Sequence, residues 1–224
     1  MLYSNTYDIL SVGEGMEKKI GVKDYIFLFC SGALAGYVFE TVFYILKYGN
    51  FVNKQGLIIG PFKPIYGFGV VLITIIFNKL KVKKWWQAFL LGALIGSLFE
   101  YLCSYLLEAI WGIYIWDYSN FNFNINGRIY LPYAIIWGLL CMMWYTFLYP
   151  KFYKLAIKFD GKVSNIVAIL LTIFLAIDFL LTGAVYLRIS NSNSDKTFYK
   201  LVDKMFPKDK VNKKFSKVRL KKKS

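Results

Sequence analysis

Apolar residues run in five long blocks separated by short polar links, at 24–47, 62–80, 86–108, 131–150 and 164–187. A bilayer's hydrocarbon core is about 30 Å thick, so at about 1.5 Å of rise per residue a helix of about 20 residues crosses it. Within 25–46 and within 89–107 there is one acidic residue and no basic one. The pattern predicts an all-α, polytopic membrane helix bundle of five spans. It divides the chain into a polar N-terminal segment 1–23, a transmembrane domain 24–188 and a basic C-terminal tail 189–224. The first segment, with Glu14, Glu17, Lys18 and Lys19, lacks the order of a cleaved secretory signal, so the first span is expected to be an uncleaved anchor.

Composition agrees with the pattern. Of 224 residues, 57% are hydrophobic, 20% aromatic and only 18% charged, and mean hydropathy is +0.45. A soluble domain, a secreted disulfide scaffold and a disordered chain are excluded. The net charge of +15 does not mark a nucleic-acid binder. All but three of the basic residues are Lys, and they flank apolar blocks or fill the tail, as topology and anionic headgroups select.

Those flanks predict orientation. Lys79, Lys81, Lys83 and Lys84 link spans two and three, and Lys151, Lys154, Lys158 and Lys162 link spans four and five. The positive-inside rule puts both links, and the N-terminus with Lys18, Lys19 and Lys23, in the cytoplasm. The opposite loops carry only Lys47, Lys54, Lys63 and Arg128. Five crossings then leave the tail outside, although its 12 basic and 3 acidic residues would more ordinarily be cytoplasmic.

The chain also repeats itself. Residues 32–40, GALAGYVFE, match 92–100, GALIGSLFE, and Gly56, Ile58 and Gly67 recur as Gly127, Ile129 and Gly138. This predicts a parallel two-span internal repeat, 24–80 and 86–150, with the fifth span 164–187 outside it. Gly-xxx-Gly lets helices approach closely, and the Glu four residues on shares that face. Glu40 and Glu100 are therefore expected to line one in-membrane polar site, with Asp178 of the fifth span at similar depth. A charge near the bilayer centre costs about 2.5–3.5 kcal/mol. Lys63 and Arg128 are the nearest basic candidates to offset it. A structural reading, in which the carboxyls only hydrogen-bond neighbouring helices, stands beside the reading as a proton or cation site.

Other chemistry is scarce. With no His, the His-based catalytic triads and the common zinc sites are excluded. Cys30, Cys103 and Cys141 read as buried thiols. Residues 159–164, FDGKVS, lack the upstream Gly and the Ser or Thr after Lys of a nucleotide-binding loop. No catalytic residue, metal site or cofactor is expected, and any ATP hydrolysis belongs to another chain. The loop after the third span is dense in aromatics and reads as an interfacial belt or a shaped lid. There Asp117 and Arg128 are expected to pair and brace the loop. In the tail, Phe198, Leu201, Val202, Met205 and Phe206 recur at helical spacing, so an amphipathic helix ending before Pro207 is expected at the membrane interface.

Two ordered motifs carry a family resemblance. The first is FVNK at 51–54 followed by GPFKPIYGFG at 60–69. The second is WDYS at 116–119, NGRI at 126–129 and Trp137-Gly138. Together with Glu100 and Glu108 they resemble the type IV, or CmpB-like, ABC-transporter permease family over about 24–188; the family's usual Gly-Trp before the first Glu reads Gly36-Tyr37 here. The resemblance implies a small bacterial integral membrane protein of the inner membrane. It singles out Glu108, Trp116, Asp117, Asn126 and Arg128 as an outer-loop signature. It leaves room for a separate ATP-binding subunit, or another membrane protein, as partner beside the lipid bilayer. Three functions compete on the sequence: a permease or transporter component, a non-transporting scaffold or regulator of the cell envelope, and a membrane-embedded enzyme with no evident nucleophile.

Overall fold

The computed structural model describes residues 20–191, 194, 196–215 and 218–220. The long N-terminal helix α1 is Val22–Tyr48, followed by α2, Pro64–Leu80, and α3, Trp85–Trp111. A loop holds the short strands β1 (Ile113–Tyr114), β2 (Asn124–Ile125) and β3 (Ile129–Tyr130). Helix α4, Leu131–Met143, continues through a π-helical turn, Trp144–Leu148, into α5, Tyr149–Lys158. Helix α6 is Lys162–Ser190, and the tail forms α7 (Thr197–Met205), α8 (Lys208–Lys214) and β4 (Arg219–Leu220). Among the described residues, four helical stretches are long and apolar enough to cross a membrane: α1, α3, α4 through α5, and α6. The expected second span is the shorter apolar helix α2, of 17 residues.

The length of α2 has a local cause. Segment 56–63 folds back into the bundle instead of crossing over its end. Leu57 and Ile58 are buried, the Lys63 N–H donates to the Ala33 carbonyl midway along α1 at 3.0 Å, and the Gly56 N–H closes the segment onto the Phe62 carbonyl at 2.7 Å. Irregular backbone at this depth needs partners within the protein. Asp178 and Thr182 of α6 supply them, accepting from the N–H groups of Ile59 at 3.0 Å and Ile58 at 2.9 Å. Pro64 then starts α2, where its missing N–H costs nothing.

Glycine sets the two main helix contacts. A Cβ on Gly67 would stand 2.8 Å from Phe29, and one on Gly36 would collide with the Tyr66 ring, so α1 and α2 touch backbone to ring. In the pair α3 and α4, a Cβ on Gly138 would stand 2.9 Å from Phe89, and one on Gly96 would stand 2.8 Å from Trp137. Farther along, Asn78 of α2 donates to the Tyr149 hydroxyl at 2.7 Å and accepts from Tyr145 at 3.1 Å, while Trp144 donates to Thr74 at 2.9 Å. The π-helical turn lies against this polar strip.

At one end of the bundle Lys23 of α1 pairs with Asp160, in the turn between α5 and α6. At the other end the tail docks. Val202, Val211 and Phe215 bury against Ile58, Ile113, Val185 and Tyr186. Strand β4 pairs antiparallel with β1, Ile113 opposite Leu220. The tail thus lies with the loops that follow α1 and α3. Helix α7 stops before Pro207 as expected, and of the apolar positions the pattern singled out Val202 is buried against the protein.

Candidate functional site

Glu40 stands in the second half of α1, one helical turn beyond Gly36. Its carboxylate forms an ion pair with Lys63, at the foot of α2, with side chains only 24% and 15% exposed. Its other oxygen accepts from the Tyr66 hydroxyl at 3.0 Å. Glu100 occupies the corresponding turn of α3 and is 6% exposed. One of its oxygens accepts from the Trp137 indole N–H at 2.9 Å and the other from the Tyr118 hydroxyl at 3.1 Å. The rings of Tyr66 and Trp137 stack, with centroids 5.6 Å apart and planes at 30°. The result is a continuous cluster, Lys63, Glu40, Tyr66, Trp137, Glu100 and Tyr118, that crosses from one helix pair to the other. Burial and the neighbouring Glu100 charge hold the Tyr118 hydroxyl protonated, well above its ordinary range, so it stays a donor.

Asp178 is not part of this cluster. It is fully buried, and its Oδ1 binds the Ile59 N–H of the folded-back segment, with Thr182 at 3.4 Å. Its geometric task is to hold backbone inside the bundle.

The outer-loop residues take partners the sequence did not pair. Arg128 forms an ion pair with Glu108, donates to the Ser104 hydroxyl at 3.2 Å and stands near the Tyr101 and Tyr105 rings. The expected Asp117–Arg128 brace is therefore corrected. Asp117 Oδ1 instead accepts from the Ser119 N–H at 2.9 Å and from its hydroxyl, turning its own loop. These two bonds hold the carboxyl below the usual range. Glu108 and Ser104 of α3 hold the Arg128 guanidinium, while Asp117 Oδ1 packs on Gly127, whose φ is +66° and where a Cβ would stand 2.7 Å away. The Trp116 indole donates to the Arg128 carbonyl at 3.0 Å, and Asn126 donates to the Tyr101 hydroxyl at 2.9 Å. The loop is thus pinned to α3 at three levels, and Tyr118 hangs from it down to Glu100.

Sequence reasoning missed Tyr66, Trp137 and Tyr118. A signal was present for the first two. Each directly precedes the repeated glycine, Gly67 or Gly138, so the duplicated pattern places an aromatic donor opposite each Glu. Nothing in spacing reveals Tyr118. Among the described residues no group of three or more acids and cysteines is arranged to hold a metal ion.

Long apolar helices, glycine-packed pairs and buried carboxylates define a multi-pass helical membrane protein. A family model described as "Putative ABC-transporter type IV" matches residues 27–183, and the chain belongs to that family. Searches of curated proteins and of solved structures found no match.

Proposed function

We propose that the chain is a permease or transporter component of the bacterial cell membrane, and that Glu40 and Glu100 form its proton, cation or polar-substrate site. The observation that supports this most is the unequal treatment of the two carboxylates. Glu40 has the Lys63 ammonium, whereas both oxygens of Glu100 accept from neutral donors. With both acids ionised, Glu40, Glu100 and Lys63 leave one negative charge in a medium where each costs kilocalories. One proton or one monovalent cation balances it. The reading includes five crossings, with α2 and segment 56–63 together making the second. It also includes a parallel repeat, supported by the like contacts of Gly36 with Tyr66 and Gly96 with Trp137. The chain itself is not an enzyme in this reading, and a separate ATP-binding subunit would supply any hydrolysis. A scaffold or regulator is the second reading. The tail's tight docking across the loop end favours it, because such a cap suits a binding surface as well as a pathway.

The test uses purified full-length protein in liposomes loaded with a pH-sensitive dye. A potassium diffusion potential, negative inside, should acidify the lumen several-fold faster than in protein-free vesicles or with Glu100→Gln. Equal rates in all three would reject the proton reading.

A further inference from the structure

The tail helix α7 has three distinct flanks. One faces protein: Val202 is buried, and Asp203 takes both Nε and Nη2 of Arg188, at 2.8–3.1 Å. The Arg188 Nη1 also donates to the carbonyls of Asn191 and Ser194, at 2.9 and 3.1 Å. The second flank is apolar and uncovered: Phe198, Leu201 and Met205 are 49%, 55% and 53% exposed. At 3.6 residues per turn they share an arc of roughly 60°. The third flank carries the exposed Lys200 and Lys204, roughly 90–130° from the centre of that arc. Exposed Lys196, Lys208, Lys210 and Lys213 continue the basic surface on either side.

Depth decides what covers the apolar flank. Helix α6 runs from Lys162 to Ser190. Val185 and Arg188, which hold α7, lie roughly 14–18 Å beyond its midpoint along the axis. Half the hydrocarbon thickness is about 15 Å. Docking thus sets α7 at the boundary between acyl chains and headgroups, beside the helices that cross the membrane. A short helix there needs an apolar side toward the acyl chains and a cationic side toward the headgroups, and α7 has both.

We propose that α7 is a docked interfacial anchor, whose Phe198, Leu201 and Met205 insert into the leaflet at the loop end of the bundle. Its lysines engage anionic phospholipid headgroups. The partner is the anionic bilayer surface itself. Attraction of this kind grows with each basic residue held near the surface and is screened by salt.

The experiment is environment labelling of the full chain in bilayers. On a background with Cys30, Cys103 and Cys141 changed to Ala, single cysteines at Leu201 and Lys200 are tagged with an environment-sensitive fluorophore. The protein is reconstituted at high lipid excess into vesicles of neutral phosphatidylcholine, with or without one third phosphatidylglycerol. In the anionic vesicles the Leu201 label should be several-fold better protected from an aqueous quencher than the Lys200 label. Lowering the anionic fraction or raising salt should narrow that difference. Equal quenching of both labels in anionic vesicles would overturn the proposal. Equal protection of Leu201 in neutral and anionic vesicles would overturn the headgroup part. Protection that scales with protein density would assign the flank to a second copy of the chain and overturn the proposal as well.

Discussion

At the scale of the residue, the carboxylate cluster depends on who neutralises whom. Lys63 is paired with Glu40 and also acts electrostatically on Glu100. Glu40→Gln or Glu100→Gln alone leaves this interior ammonium one carboxylate within range. The double change leaves it none, and an uncompensated buried charge costs about 3–5 kcal/mol. Thermal unfolding in mixed lipid–detergent micelles should show the double variant falling well below the sum of the two singles. Additive losses would mean that Lys63 does not depend on the pair. The positions of Glu40 and Glu100 were legible because a charge inside an apolar block stands out. Of their donors, Tyr66 and Trp137 carried a signal, each standing directly before its glycine, whereas only geometry selects Tyr118. Arg128 shows the limit of nearness in sequence. It passes over Asp117, eleven positions away, for Glu108, because α3 carries Glu108 to the loop while Asp117 is used by Ser119.

At the scale of the element, glycine decides which helices pair. In Gly96→Ala the new methyl would stand 2.8 Å from Trp137 Cβ, and either the helices separate or the indole turns away from Glu100. Overpacking of this kind costs about 1–3 kcal/mol. Gly183→Ala on α6 is the contrast, with Trp111 at 3.8 Å and a helical backbone. It should be neutral or gain up to about 1 kcal/mol from the better helix former. Comparing the two melting temperatures checks this, and a Gly96→Ala protein as stable as Gly183→Ala would show the interface to be slack. Most of the helices were legible from their apolar runs. The short α2 was not, because an apolar run such as 56–80 looks the same whether it is one helix or a folded-back segment with a helix after it. The difference lies in α6: Asp178 and Thr182, at the right height, accept from the N–H groups of Ile59 and Ile58.

At the scale of the molecule, the docked tail ties the C-terminal residues to the loops after α1 and α3, away from Lys23 and Asp160. Cysteines introduced at the exposed Asn122 and Lys210 should react with an impermeant reagent from the same side of intact cells. A cysteine at the exposed Lys81 should react only after the opposite side is opened. Labelling of Lys81 and Lys210 from one side would mean an even number of crossings. Charge counting left the tail's side in conflict with its lysines, because that rule weighs short loops and has little hold on a terminal domain that folds onto its neighbours. The pairing of β1 with β4 also carries a consequence in time. Ile113 emerges during synthesis long before Leu220, its partner across the ladder. At ribosomal speeds of about 5–20 residues per second, the interval is on the order of ten seconds. Through that interval Ile58 and Ile113 await the side chains that will cover them. The loop end is therefore the last part of this protein to mature, and an interrupted translation product would display an open apolar patch to the quality-control machinery of the membrane.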